Sequence, residues 1–122
     1  MVETTMPHID EIKNELETLK EIILKSVPTE EIYVFGSYAY GTPHEDSDID
    51  IYIVMKDDAP MRETDAMTEV ECGRFEYIMN RPENARSIPV DILALKKKRF
   101  LYRTTGRTLE KIVAEKGVKI YG

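Results

Sequence analysis

Apolar residues along the chain recur with two different periods, and the changes from one period to the other lay out a mixed α/β domain. Ile9, Ile12, Leu16, Leu19 and Ile23 fall at alternating spacings of three and four, with Asp, Glu and Lys filling the other positions. That is the stripe of a helix packed on one side, predicted over residues 8–25. Pro7 suits its first turn and Pro28 lies just beyond its end. Ile32–Phe35 then reads as a short strand that Gly36 ends, and Ser37–Tyr40 as a turn or two of helix before Gly41-Thr42-Pro43 breaks the chain. His44–Ser47 is a loop, and Asp48–Met55 a second strand. Residues 61–80 carry an imperfect apolar face of Ala66, Met67, Val70, Phe75, Tyr77 and Ile78, which Gly73 weakens. Arg81-Pro82-Glu83-Asn84 ends that helix.

A third strand is predicted over Ile88–Leu95, with Pro89 near its start, where a missing N–H is tolerated. Lys96–Arg99 opens a basic helical segment that carries Phe100, Leu101 and Tyr102. Thr108–Lys116 reads as the last helix, with Leu109, Ile112 and Val113 inward and Gly117 as its stop. Val118 and Ile120 alternate with polar neighbours, as in a short terminal strand. The expectation is a single α/β domain over residues 1–122, a small mixed sheet flanked by helices, with no internal repeat and no linker.

The composition narrows what such a domain can do. The chain has 122 residues, 42% of them hydrophobic and 33% charged, and a net charge of −6. An acidic chain is a poor match for long nucleic acid, whose binding rests on neutralising phosphates. A single nucleotide or a basic protein partner is compatible with it. The one cysteine, Cys72, leaves no internal disulfide and suits the reducing cytoplasm, where we expect the protein. No apolar run approaches the ~20 residues of a membrane span.

The chemistry concentrates between Tyr33 and Val54. Asp48 and Asp50 are two residues apart on a predicted strand, so they share a face, while Ile49, Ile51 and Ile53 point the other way. Asp91 interrupts the apolar run of the third strand. If these strands are neighbours, three carboxylates converge on one sheet surface and repel unless divalent cations lie between them. Hard oxygen ligands select Mg²⁺, with Mn²⁺ as the alternative, over zinc. Two such ions ~4 Å apart can clamp the attacking and leaving oxygens of an in-line phosphoryl displacement. Gly36 has no Cβ to keep a phosphate away, and Ser37 adds a hydroxyl where helix N–H groups point outward. Together they are placed to hold the β- and γ-phosphates of a triphosphate.

Gly36-Ser37, ten intervening residues, Asp48-Ile49-Asp50 and a later strand Asp91 resemble the pattern of the DNA polymerase β-like nucleotidyltransferase superfamily. The run from Gly36 through Thr42 to Ser47-Asp48-Ile49-Asp50 is similar to its minimal nucleotidyltransferases (MNT), small stand-alone domains. The resemblance covers residues 30–95 and the closing Glu-Lys-Gly-Val-Lys-Ile-Tyr. It implies that Asp48 and Asp50 bind both metals. It also implies that Asp91 holds the catalytic metal and helps deprotonate the attacking hydroxyl, and that Gly36 and Ser37 hold the triphosphate of ATP. The implied reaction is transfer of a nucleoside monophosphate to a hydroxyl, with pyrophosphate leaving.

MNT proteins of this kind act as antitoxins that add AMP to a tyrosine of a HEPN-domain toxin, which makes such a toxin the implied partner. The chain has no room for an acceptor-binding domain after the third strand, so the acceptor surface is expected on another protein. A binding module that neutralises a toxin by occlusion, or a nucleotidyltransferase acting on a small molecule, are the alternatives. Homo-oligomerisation stays open. Lys96–Arg99 reads as a solvated helix face first and a ligand patch second, with Arg99 and Arg103 the residues that could contact a triphosphate. Tyr38 and Tyr40 divide between turn packing and the nucleotide site. Cys72 is expected in the core or partly buried.

Overall fold

The structure is a computed structural model that describes residues 8–44, 46–81 and 88–122. Three strands meet at its centre: β1 (Thr29–Phe35), β2 (Ile49–Met55) and β3 (Val90–Lys96). β4 (Val118–Tyr121) completes a four-stranded sheet of order β3-β2-β1-β4. β2 runs antiparallel to β1 and parallel to β3, and β4 pairs antiparallel to the far edge of β1. A parallel neighbour needs a long crossover. α3 (Glu63–Met79) provides it, between β2 and β3.

Alternation along β2 sorts its side chains into two layers. Ile49, Ile51, Ile53 and Met55 enter a core with Leu16, Leu19 and Ile23 of α1 (Lys13–Ser26) and Ala66 and Val70 of α3. Tyr52 and Val54 face the other way. They pack with Tyr33, Phe35, Phe100 and Val113 under α4 (Lys97–Arg103) and α5 (Leu109–Lys116). α2 (Ser37–Tyr40) is a single turn at the end of β1. Both sheet faces are therefore covered, as a parallel strand pair requires. Among the described residues no helix is long and apolar enough to cross a membrane.

The predicted elements are all present, with shifted ends and faces. The first helix opens as a 3-10 turn over His8–Ile12 before becoming α-helical at Lys13; Pro7 lies outside the described residues. β1 starts at Thr29 instead of Ile32, because an irregularity between Thr29 and Glu31 lets the pairing with β2 continue past it. β3 starts two residues later and ends one later than expected, although the Pro89 carbonyl still accepts from Ile49 N–H at 2.9 Å. The ending proposed for the second helix lies partly outside the described residues, at Pro82, Glu83 and Asn84.

Three expected faces are corrected. Of the face expected on α3, Ala66 and Val70 are buried, but Phe75 and Tyr77 are exposed, at 64% and 43%, and so is Cys72. Gly73 is a packing residue there: a Cβ on it would come within 2.8 Å of Ile22 Cγ2 on α1. On α5 only Val113 of the three apolar residues points in, and its buried neighbour one turn earlier is Glu110.

Candidate active site

Gly36 stands at the junction of β1 and α2 with φ +75 and ψ −150, a combination that is essentially glycine's alone. Its carbonyl accepts from Ala39 and Tyr40 N–H, both at 3.0 Å, which turns the chain sharply into the helical turn that Ser37 begins. The carboxylate of Asp50 occupies the space a side chain would need. A Cβ on Gly36 would overlap Asp50 Oδ2 and lie 3.1 Å from its Cγ. Phe35, the residue before, is the register partner of Asp50.

Across the other edge of β2, Asp50 is in register with Asp91 of β3. The two aspartates therefore leave the sheet on one face, the face of Tyr52 and Val54. Asp48 precedes β2 at the same parity and is partly buried. Burial, and then the charges of Asp91 and Asp48, push the Asp50 carboxyl up to about 6. Asp91 and Asp48 are thus both near enough to act on the Asp50 carboxylate. The three form an open group, since among the described residues no three His, Cys, Asp or Glu side chains are gathered tightly enough to hold a metal ion.

The loop that delivers Asp48 is closed by a reciprocal pair. His44 N–H donates to Ser47 Oγ, and Ser47 N–H donates to the His44 carbonyl, both at 2.9 Å. Ser47 is itself buried. His44 and Ser47 are both loop residues by pattern, and their two bonds close the turn that leads into Asp48-Ile49-Asp50. Their i, i+3 spacing is the visible signal of such a turn.

The remaining expectations divide. Tyr38 is buried in the core beneath α1, so its role is packing, while Tyr40 is 43% exposed. Arg99 lies 3.6 Å from Glu63, and Arg103 donates to Glu110 Oε1 at 2.9 Å. Both guanidinium groups already have carboxylate partners within the domain. Glu110 also accepts from Tyr52 Oη at 2.7 Å, so a buried hydrogen-bonded chain ties α4, α5 and β2 together one same-face position from Asp50. Burial and the Glu110 carboxylate raise the Tyr52 phenol far above its ordinary range. Burial opposes ionisation of Glu110, but the bonds from Tyr52 and Arg103 outweigh it and hold that carboxyl below its ordinary value.

Comparison with known proteins bears on the family and the fold. No curated protein matches the chain. Among solved structures, a proposed nucleotidyltransferase from Sulfolobus solfataricus is 27% identical, with a TM-score of 0.55, covering 92% of this chain and 80% of that one. A toxin-antitoxin structure containing AMP-PNP is 21% identical, with a TM-score of 0.56, covering 87% of this chain and 72% of the other. A mutant of the toxin-antitoxin MntA-HpeT is 22% identical, with a TM-score of 0.51, covering 90% and 72%. The last two support the fold. The model of the nucleotidyltransferase domain matches residues 16–120, nearly the whole chain. With the glycine turn, the Asp48-Ile49-Asp50 entry and the Asp91 neighbour in place, this chain belongs to the nucleotidyltransferase domain family and is a nucleotidyltransferase.

Proposed function

We propose that the protein transfers AMP from ATP to a tyrosine hydroxyl of a HEPN-domain toxin and thereby acts as its antitoxin. The observation that carries the chemistry is the adjacency of Asp50 to both Asp91 and Gly36. The first contact sets carboxylates side by side, and the second puts them against a backbone turn that a phosphate can approach closely. The toxin as partner is supported by the toxin-antitoxin neighbours of similar fold and by the net charge of −6, which favours a basic partner.

Asp48, Asp50 and Asp91 would hold divalent metal, two Mg²⁺ in the pattern the sequence resembles, which would neutralise charge on the reacting phosphate oxygens. The donor set fits such an ion in kind: hard carboxylate oxygens, one of them raised by burial and then by its acidic neighbours, and relieved when a cation arrives. Gly36 and Ser37 would hold the β- and γ-phosphates, leaving the α-phosphorus beside the acids. The acceptor oxygen then forms its bond to the α-phosphorus. The bond from that phosphorus to the bridging oxygen breaks, pyrophosphate departs, and the hydroxyl proton passes to Asp91, the most exposed carboxylate of the three.

The test is to incubate the protein with ATP, Mg²⁺ and a candidate HEPN toxin, sought in the reading frame beside its own gene, and to weigh the toxin by mass spectrometry. Added AMP on a tyrosine, lost with Asp48→Asn and Asp50→Asn, is the expected result. Unmodified toxin, together with full protection of cells by the double variant, would instead assign inhibition by occlusion. AMP on a small molecule in place of the toxin would reassign the acceptor.

A further inference from the structure

On the face of the sheet opposite Asp50, a half-enclosed pocket of about 90 Å³ opens between α1, α3 and the start of β3. That is space for several waters, too little for a nucleotide but sufficient for one small ion. Its walls carry two arginines, Arg74 and Arg81, with Asn14 and Thr18 beside them. Neither guanidinium has an ion-pair partner among the described residues, although Glu15 also lines the pocket.

Two cations sharing a pocket with a single carboxylate among its described walls leave an excess of positive charge, which is costly. Burial and the Arg81 charge hold the Arg74 guanidinium below its ordinary value. Arg74 donates to the Ile88 carbonyl, which fixes it against β3 and uses only one of its five donors. Arg81 is fixed by stacking 5.4 Å from the Tyr77 ring centroid. Its Nε–H is buried and lacks a hydrogen-bond partner among the described residues. A buried donor left unpaired is expensive, and a charged one more so. Two preset guanidinium groups with an orphan donor match the oxygens of a tetrahedral oxyanion.

We propose that Arg74 and Arg81 form a second anion site, for a small oxyanion of the phosphate class, on the side of the sheet away from the aspartates. The ion arrives either as free phosphate or as the phosphate of a compact ester. In both cases the site is separate from the triphosphate turn at Gly36 and Ser37.

The experiment follows the arginine Nε–Hε NMR signals of the intact protein during titration with inorganic phosphate, and in parallel with AMP. Saturable movement of the Arg74 and Arg81 signals is expected. Losing one charge-assisted bond weakens binding about tenfold or more, so Arg81→Gln should shift the titration by that factor. Glu15→Gln removes the one carboxylate that lines the pocket among the described residues and should tighten binding, a gain that damaged folding would not produce. Movement with phosphate but not AMP identifies the free ion, and movement with both identifies a phosphate group in either form. Still arginine signals, movement confined to the Gly36 and Ser37 amides, or unchanged affinity in Arg81→Gln would overturn the proposal.

Discussion

Gly36 and Asp50 share one volume: the carboxylate of the second fills the place where the first would carry a Cβ. The backbone of Gly36 is also in a region that other residues enter only at a cost of about 1–3 kcal/mol. Gly36→Ala should therefore destabilise the protein by at least that range in urea denaturation and abolish transfer. Adding Asp50→Ala to the Gly36→Ala variant should recover part of the lost stability by removing the clash. The part due to the backbone stays lost. Simple additivity of the two changes would show that the clash is not real.

The charges around Asp50 give a second expectation. With chelator present, the folded state binds a proton at Asp50 up to about pH 6, whereas the unfolded chain releases it near the ordinary carboxylate value. The folded state thus holds more protons in that interval, and this site lowers stability as pH rises through it. Asp50→Asn should accordingly raise the thermal midpoint of the metal-free protein at neutral pH, with the gain shrinking towards pH 4, the ordinary carboxylate range. Mg²⁺ should raise the wild-type midpoint and leave that of Asp50→Asn nearly unmoved. A lower midpoint in metal-free Asp50→Asn at neutral pH would contradict the repulsion.

Glu110 behaves in the opposite sense. Its folded carboxyl lies below the ordinary value, so its stabilising contribution is present in full above that value and is lost as pH falls through the folded one. Glu110→Gln should cost stability at neutral pH and little in strong acid. Tyr52→Phe, which leaves one carboxylate oxygen without its 2.7 Å donor, should cost about 1–3 kcal/mol near neutrality. Denaturation across pH checks both, and a pH-independent penalty in Glu110→Gln would assign the loss to packing.

The helices over the Asp50 face are held by Phe100, which stacks with Tyr33 at a centroid distance of 6.0 Å and meets Tyr52 at a tilt, with centroids 5.3 Å apart. Phe100 is 2% exposed, so Phe100→Ala should cost about 3–5 kcal/mol. Phe75 is the control. At 64% exposed, Phe75→Ser should change stability by less than about 0.5 kcal/mol. Equal losses at the two positions would mean that Phe75 is packed as tightly as Phe100, against its exposure on α3.

Much of this protein is determined locally, and the sequence alone carries that part. A three-four spacing from Ile9 to Ile23 makes a helix with one apolar side wherever it is placed, and the odd-numbered isoleucines of β2 make a strand. The Gly36-Ser37 turn and the Asp48-Ile49-Asp50 entry are likewise short-range features, and they carried the resemblance that the match over residues 16–120 bears out at the level of the nucleotidyltransferase domain.

Other features depend on which residues meet across the sheet, and no local pattern encodes that. The parallel pairing of β2 with β3 puts Asp91 in register with Asp50, although 41 positions separate them in the chain. Helix faces were decided in the same way. Leu109 and Ile112 satisfy the period of a buried stripe, yet the space under α5 is filled by Val113 and by a glutamate whose charge Tyr52 and Arg103 can satisfy. Cys72, Phe75 and Tyr77 match an apolar face as well, but close approach of α1 at Gly73 turned Ala66 and Val70 to the core. Periodicity fixes that an element has a buried side. Only the shape and charge of what packs against it decide which residues that side contains.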